Sequence, residues 1–279
     1  MPERGTAIYG RITWLTHFAC NYRCTYCFYH EGCGWEILKA QNRYFSVAQW
    51  VDAWQRLYDT YGRFVIIATG GEPFIYPGFE NIIQQISSQH YPINISTNAS
   101  QDLERFTDVV DPERITLSLS FHPQFESIEE FFGKVALVRR KKFQGCLNLV
   151  AYPLYLNKVE YYQGYARASS EQFKVIPFRG IYRQNAYPWS YSDEELERAG
   201  IETDWFVKVR RKGTYCQAGV QSALLLPDGQ VAKCGQMFYS GIIGNFFDRE
   251  FRLRHEAAQC EREMCPCAED KIFGEAELV

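Results

Sequence analysis

Three cysteines near the N-terminus, Cys20, Cys24 and Cys27, stand close enough in sequence to share one inorganic partner. They follow the apolar segment 12–18, so they lie in a loop at the end of a predicted strand. Three thiolates in such a loop can hold three irons of a 4Fe-4S cluster and leave the fourth iron without a protein ligand. The open iron is where chemistry would take place.

A second group of cysteines lies near the C-terminus and predicts a second metal centre. Its members are Cys216, Cys234, Cys260, Cys265 and Cys267, and Cys146 stands alone between the two groups. The chain has 10 cysteines, and disulfides rarely persist in the cytosol, so metal binding is favoured over a disulfide framework. Structural zinc is the alternative, with Cys33 or His30 as the fourth ligand of the front group.

The composition indicates a globular chain that binds neither nucleic acid nor a membrane. The 279 residues are 46% hydrophobic, which is enough for a large core, and the formal net charge is −3. The short basic cluster 139–142 is interpreted as the end of a helix, where cations are favourable. No stretch has the length of a membrane span or a signal peptide, so we expect a cytoplasmic protein.

Alternating strands and helices must position the front cysteines. After the first strand, short apolar runs predict strands at 64–68, 93–96, 115–121, 146–152 and 173–178. Helical spacing predicts helices that begin near residues 46, 79, 101, 127 and 158, two of them with capping boxes. Six such units predict an α/β fold, a partial (β/α)6 TIM-like barrel, because a complete barrel has eight.

Beyond residue 178 the alternation stops. A capped helix is predicted at 192–199, and Pro227-Asp228-Gly229 between two apolar runs predicts a hairpin. We therefore expect three parts. A core barrel covers residues 1–185, a linking region covers 186–215, and a small cluster-binding appendage of hairpin and helix covers 216–279.

The front cysteine spacing, with the aromatic Tyr26 before the third cysteine, resembles the motif of radical S-adenosylmethionine (radical SAM) enzymes. The resemblance extends to Gly70-Gly71-Glu72-Pro73 after the second strand, where that superfamily has a Gly-Gly-Glu motif. It implies that Cys20, Cys24 and Cys27 hold a 4Fe-4S cluster whose open iron binds S-adenosylmethionine. It also implies that Tyr26 and residues 70–73 contact that cofactor.

Later strand ends also resemble cofactor-contacting positions of this superfamily. Asn98 follows the third strand, although Ala99 stands where relatives commonly have glycine. Ser118 and Ser120 lie on the fourth strand, where relatives bind the ribose hydroxyls. His122 follows in place of the common Asp-Gly, and we interpret it either as structural or as a contact to substrate or cofactor.

Near the C-terminus, Cys216 and Cys234 flank the predicted hairpin and resemble the start of an auxiliary-cluster domain called SPASM, or twitch in its shortened form. The resemblance implies one auxiliary 4Fe-4S cluster, because five cysteines cannot fill two four-thiolate sites. Cys216, Cys234 and Cys267 are the favoured ligands, and Cys260 and Cys265 compete for the fourth place. A zinc ribbon is the alternative.

These resemblances imply reductive cleavage of S-adenosylmethionine to a 5′-deoxyadenosyl radical, with electrons from a reductant such as flavodoxin or ferredoxin. The radical would abstract hydrogen from a substrate C–H bond. The compact appendage is similar to that of dehydrogenases of small polar molecules, so we expect oxidation or epimerisation of a sugar or aminocyclitol. Epimerisation needs a hydrogen donor, for which Cys33 and Cys146 are candidates. The alternatives are an enzyme that crosslinks or epimerises a peptide, and a non-catalytic iron–sulfur or zinc protein.

Overall fold

Six parallel strands run in chain order to one edge of a larger sheet in the computed structural model, which describes residues 7–31, 35–201 and 209–265. These strands are β1 (Ile8–Leu15), β2 (Arg63–Thr69), β3 (Ile93–Thr97), β4 (Ile115–Phe121), β5 (Leu147–Ala151) and β6 (Phe173–Pro177). Within the described residues, no strand closes the sheet at β6. The predicted α/β fold with a partial barrel is confirmed.

Helices alternate with these strands along the chain. They are α1 (Phe28–Glu31), α2 (Trp35–Lys39), α3 (Val47–Tyr61), α4 (Phe79–Ile86), α5 (Glu104–Val109), α6 (Ile128–Arg140), α7 (Leu156–Ala168) and α8 (Asp193–Ala199). The predicted capping boxes at Ser46 and Ser127 are both present. Helix α5 begins later than predicted, because the Asp102 carboxylate accepts the Glu104 N–H (2.9 Å) and holds the preceding residues in a turn.

Burial alternates along the strands that the apolar runs predicted. In β2, Phe64, Ile66 and Ala68 are buried, whereas the residues between them are half-buried. The continuous apolar run of this strand is typical of burial on both faces, but only the face toward the helices is fully buried, because the inward face of an open barrel is less tightly covered. Polar residues such as Ser96 and Asn148 can therefore occupy inward positions on β3 and β5.

Short strands follow in the C-terminal third of the chain. They are β7 (Gly180–Tyr182), β8 (Asn185–Tyr187), β9 (Val209–Arg210), β10 (Tyr215–Cys216), β11 (Ser222–Leu225), β12 (Gln230–Ala232), β13 (Ile242–Asn245), β14 (Ala258–Gln259) and β15 (Met264–Cys265). Strands β7 and β8 form a hairpin that begins directly after the end of β6.

The predicted C-terminal hairpin is present as β11 and β12, and it joins the main sheet beside β1. Strand β11 runs parallel to β1, and β13 completes this side of the sheet. Gly10 makes the approach possible, since a Cβ there would lie 2.2 Å from the Gln221 carbonyl oxygen. The Arg11 N–H donates to the same oxygen (2.7 Å). The appendage is thus anchored on the strand that leads to the front cysteines.

An aromatic cluster packs α3 against the sheet. The Trp14 ring centroid lies 4.7 Å from that of Trp50 and 5.9 Å from that of Trp54, and all three side chains are fully buried. None of the helices in the described ranges is long and apolar enough to cross a membrane.

His90 lies in this core, and we expect it to make stability depend on pH. Its Nδ1 accepts the Phe64 N–H (3.1 Å) and its Nε2–H donates to the Trp54 carbonyl (3.1 Å), so the ring must stay neutral. Burial lowers the pKa of His90 to about 4. The unfolded chain binds this proton near pH 6.5, so the stabilisation is complete above that pH and is lost as the pH falls toward 4.

Between pH 7 and pH 5 this group should lower the free energy of unfolding by about 2 kcal/mol. Urea unfolding at the two pH values would measure the difference. The His90→Gln variant should be less stable at pH 7 and should show a smaller loss on acidification. Equal losses in the two proteins would contradict the assignment.

Candidate functional site

A cavity of about 470 Å³ opens at the carboxyl ends of the parallel strands, a size typical of ligand sites. Cys20, Cys24 and Cys27 all line it, although Cys24 is buried and the other two are partly exposed. The loop Gly70–Glu72 at the end of β2 lines the same space. The structure therefore brings together the two motifs that the sequence places about fifty residues apart.

Most of the other predicted contacts also line this cavity. These residues are Tyr26, Asn98, Ser120 and His122. Ser118 is buried and does not line the cavity, and its Oγ accepts from Asn94 Nδ2 (2.8 Å). Pro73 begins a 3₁₀ turn, Pro73–Ile75, and is likewise buried away from the cavity. Neither residue is in position to touch a ligand there.

Of the two candidate hydrogen donors, the described residues include only Cys146, and it does not line the cavity. Cys146 is exposed and precedes β5, so it lies at the amino end of the sheet, opposite the cavity mouth. Cys33 lies outside the described residues.

Burial and mutual proximity keep the thiols of Cys20 and Cys24 protonated at neutral pH. Desolvation raises the pKa of Cys20 to about 11 and that of Cys24 to about 12, and the neighbouring thiols add to both shifts. Cys20 Sγ receives the Tyr22 N–H (3.4 Å) and the Asn98 Nδ2–H (3.7 Å). Such a group binds metal by exchanging protons for iron, so cluster assembly there would release protons.

The Glu72 side chain connects the loop after β2 to the end of β3 by hydrogen bonds. Its Oε1 accepts from the Thr97 hydroxyl (2.7 Å) and the Phe74 N–H (3.1 Å), and its Oε2 accepts from the Asn98 N–H (2.7 Å). The side chain is buried, and desolvation raises the pKa of Glu72 to about 6 in spite of these three donors. The carboxylate therefore fixes the loop after β2 against the end of β3.

The adjacent glycines let this loop lie against the backbone that leads into the cysteines. A Cβ on Gly71 would lie 1.8 Å from the Ala19 carbonyl oxygen, and one on Gly70 would lie 2.5 Å from that of His17. The Gly71 N–H donates to the His17 carbonyl (2.7 Å), and the Glu72 N–H donates to that of Ala19 (2.9 Å). The two glycines thus allow close packing between two backbone segments of this chain, and they would also allow a ligand to approach the backbone.

Replacing Gly71 with alanine should displace this loop, because the clash is with backbone that has no rotamer to change. We expect the free energy of unfolding to fall by about 2–3 kcal/mol and iron binding at the front site to fall with it. Gly133 in α6 is the matched control, since it is exposed and a Cβ there meets nothing within 4 Å. Gly133→Ala should raise stability by about 1 kcal/mol. A Gly71→Ala protein with native stability and iron content would contradict the proposed contact.

Ala99 adopts a backbone conformation that favours glycine. Its φ is 53°, in the left-handed region, and its side chain is buried. The Ala99 N–H donates to Thr97 Oγ1 (3.0 Å), which holds the turn after β3 in place. Alanine thus tolerates the turn, although at a cost of about 1 kcal/mol.

Several residues of the site were not predicted from the sequence. Asn148 and Val150 on β5 and Ile176 on β6 line the cavity. Their place on the later strands of the predicted barrel is the only sequence signal that could have singled them out. Arg179 brings a positive charge to the mouth, where the other charged lining residue, Glu72, is already satisfied by its own chain.

A second cavity, of about 40 Å³, lies in the C-terminal part of the chain and is lined by four cysteines. These are Cys216, Cys234, Cys260 and Cys265. The antiparallel pairs β10–β14 and β9–β15 carry Cys216 and Cys265, and burial raises the pKa of Cys234. Cys267, a favoured ligand in the sequence analysis, lies outside the described residues.

The charged residues around this second cavity are mainly basic. Arg211, Lys233, Arg254 and Arg262 line it together with Glu261, which forms an ion pair with Lys233. In neither cavity do three or more described His, Cys, Asp or Glu side chains converge on a point that one metal ion could occupy.

Comparisons with known proteins found one family model that matches part of the chain. Residues 14–141 match the family model described as Radical SAM superfamily. No curated protein matches the chain.

Among solved structures, the fold is similar to that of native anSMEcpe with bound AdoMet and Kp18Cys peptide, at 15% identity and a TM-score of 0.59, over 85% of this chain and 77% of that one. It is also similar to SuiB of Streptococcus suis bound to its precursor peptide SuiA, at 13% identity and a TM-score of 0.59, over 85% of this chain and 62% of that one. At these identities the similarity shows a shared fold.

Proposed function

We propose that this chain, whose residues 14–141 match the Radical SAM superfamily model, cleaves S-adenosylmethionine reductively and removes a hydrogen atom from a substrate. The observation that carries the proposal is the single cavity shared by the three front thiols and the Gly70–Glu72 loop. Three thiols beside a loop with little side-chain bulk fit a cluster with one open iron and a cofactor bound to it. When bound, the 4Fe-4S cluster and S-adenosylmethionine supply the electron and the 5′-deoxyadenosyl radical.

The chain's own residues hold and shield these groups. Cys20, Cys24 and Cys27 would be the cluster ligands. Asn98 donates from Nδ2 to Asn21 Oδ1 (3.1 Å), so it positions the cysteine loop in addition to lining the cavity. Tyr26, Gly70, Gly71 and Ser120 remain as proposed contacts to S-adenosylmethionine.

The far wall of the cavity, on β5 and β6, is suited to a substrate. Val150, Ile176 and Phe178 make it largely apolar and exclude water, while Asn148 adds an amide and Arg179 a cation at the mouth. A mostly apolar wall with a few placed polar groups is the usual composition of a binding site.

A peptide is the favoured substrate class. Two proteins of similar fold are known with a peptide bound, anSMEcpe with Kp18Cys peptide and SuiB with its precursor peptide. The cavity is also open at the mouth beside the β7–β8 hairpin, where a residue of a longer chain could enter. This reverses the preference of the sequence analysis, which put a small polar metabolite first.

A sugar or aminocyclitol is the second candidate. Ser96, Ser120 and Asn148 all line the cavity, and hydroxyl and amide groups bind polyols well. Oxidation of either class would remove two hydrogens, one as an atom and one as a proton and electron. The electron requires an acceptor.

We propose that the second cavity holds an auxiliary 4Fe-4S cluster that serves as this acceptor. Cys216, Cys234, Cys260 and Cys265 supply four thiols around one space, so no iron would be left open for substrate. Basic residues such as Lys233 and Arg254 would stabilise the added negative charge. A reductant such as flavodoxin or ferredoxin would supply the front cluster.

The substrate proposal is tested with anaerobically reconstituted protein, dithionite and S-adenosylmethionine. Short peptides encoded beside this gene and a set of sugars and aminocyclitols would each be added, and release of 5′-deoxyadenosine and the substrate mass would be measured. We expect a peptide to accelerate 5′-deoxyadenosine release and to lose two hydrogens. Acceleration by a polyol alone would overturn the peptide assignment. A protein that makes no 5′-deoxyadenosine under any condition would instead support the non-catalytic hypothesis.

A further inference from the structure

The loop between β4 and α6 packs on the front cysteine loop. Gln124 Oε1 accepts the Thr25 N–H (3.1 Å), and the Phe125 ring stacks on Tyr22 with centroids 4.3 Å apart and an interplanar angle of 10°. These contacts lie on both sides of Cys24. The β4–α6 loop therefore packs against the middle of the cysteine motif.

His122 begins this loop and reaches the cluster ligand itself. Its Nδ1 lies 3.4 Å from Cys24 Sγ and 3.0 Å from the Tyr26 hydroxyl. The imidazole is nearly parallel to the Tyr26 ring, at 15°, and meets the Tyr22 ring edge-on, at 87°. Two aromatic rings thus fix the plane of the imidazole and aim its Nδ1 at the sulfur.

If Cys24 binds a cluster as a thiolate, its charge state determines which partner donates in these hydrogen bonds. A thiolate carries no proton and can only accept. His122 Nδ1 must therefore carry the proton when it contacts a ligated Cys24. The Tyr26 hydroxyl, whose hydrogen bond with Cys24 depresses the pKa of that thiol, would donate to the same sulfur.

We propose that His122 is a positioning residue for Cys24, donating a hydrogen bond from Nδ1 to its sulfur and thereby raising the reduction potential of the front cluster. The inference rests on the proposed function of the front thiols as cluster ligands. Hydrogen bonds to cluster sulfurs withdraw negative charge and favour the reduced state.

The test compares two variants of nearly equal size in the full reconstituted protein. His122→Asn keeps an N–H close to the position of Nδ1, whereas His122→Leu removes it. The front cluster is followed by electron paramagnetic resonance during a redox titration, as the signal that changes when S-adenosylmethionine is added. Iron per chain is counted in the same samples.

At a fixed potential, the ratio of reduced to oxidised front cluster should fall about tenfold in His122→Leu, which corresponds to about 59 mV for one electron. In His122→Asn the ratio should stay within about threefold of the wild type. Loss of iron from the leucine variant alone would also support the inference, because the donor would then be needed to hold Cys24.

An unchanged ratio in His122→Leu would overturn the inference, and so would an equal shift or an equal loss of iron in both variants, since ring packing would then be responsible. A wild-type protein without any signal that responds to S-adenosylmethionine would overturn the proposed function and this inference together. The wild-type titration thus separates the two failures.

Discussion

Replacing Cys20, Cys24 and Cys27 together with alanine should reduce 5′-deoxyadenosine formation to the level of a reaction without protein. The three thiols line one cavity with the Gly70–Glu72 loop, and no other described cysteine lines it. If the C-terminal thiols hold a cluster of their own, about four irons per chain should remain. Iron and sulfide analysis after anaerobic reconstitution would measure this.

The reciprocal variant, Cys234→Ala, should show the opposite pattern. It should lose the C-terminal irons and keep the slow cleavage of S-adenosylmethionine that occurs without substrate. Cys146→Ala, at an exposed position away from both cavities, should change neither quantity. Persistent 5′-deoxyadenosine formation by the triple variant would contradict the assignment of the front ligands. Complete loss of iron from a triple variant with a native circular dichroism spectrum would contradict the second cluster.

Glu72→Gln should destabilise the chain and weaken S-adenosylmethionine cleavage together. Two effects compete in the variant. Burial raises the pKa of Glu72 to about 6 even with its three donors, so the charge costs about 2 kcal/mol net at pH 7, and glutamine removes this cost. Glutamine also turns one acceptor into a donor that opposes Asn98 N–H or Thr97, which leaves buried donors without an acceptor at about 1–3 kcal/mol each.

The opposed and unsatisfied donors outweigh the removed charge, so we expect the free energy of unfolding at pH 7 to fall by about 2 kcal/mol. Cleavage should fall at least about tenfold, because the loop after β2 would no longer be fixed to the end of β3. Glu113→Gln, an exposed position, is the control and should change stability by less than about 0.5 kcal/mol. A Glu72→Gln protein that matched this control would contradict the role of the carboxylate.

The titration of Glu72 makes stability fall as the pH rises, whereas the titration of His90 makes stability rise with pH. The pKa of Glu72 is raised on folding, so its ionisation opposes folding, and the contribution of the neutral form is lost as the pH rises from about 4.5 through 6. The carboxylate is nevertheless the form that accepts all three donors. We infer that a glutamate occupies this position because the carboxylate organises the site, and that its charge does not stabilise the fold.

The parts of the site that are local in sequence could be predicted, because motif spacing and strand ends carry the signal. Cys20 to Cys27 and Gly70 to Glu72 are of this kind, and so are the six strands that present them. The length and apolar character of each strand limit where a loop can begin, so the positions of these motifs follow from their place in the chain.

Contacts between distant segments could not be predicted, because no pattern within either partner specifies them. His122 and Cys24 are 98 residues apart, and Thr97 and Glu72 are 25 apart. The pairing of β11 with β1 is of the same kind, since Leu224 to Leu226 showed only that a buried strand existed there. The sequence likewise offered no reason to place both Cys260 and Cys265 beside Cys216 and Cys234 at the second cavity.

The central claim is that the front thiols and the Gly70–Glu72 loop form one site for reductive cleavage of S-adenosylmethionine. Its most direct test is chromatographic measurement of 5′-deoxyadenosine released by the anaerobically reconstituted, dithionite-reduced wild-type protein. We predict release that requires both reductant and S-adenosylmethionine, with methionine formed in equal amount. No 5′-deoxyadenosine from a protein with its full iron content would contradict the account.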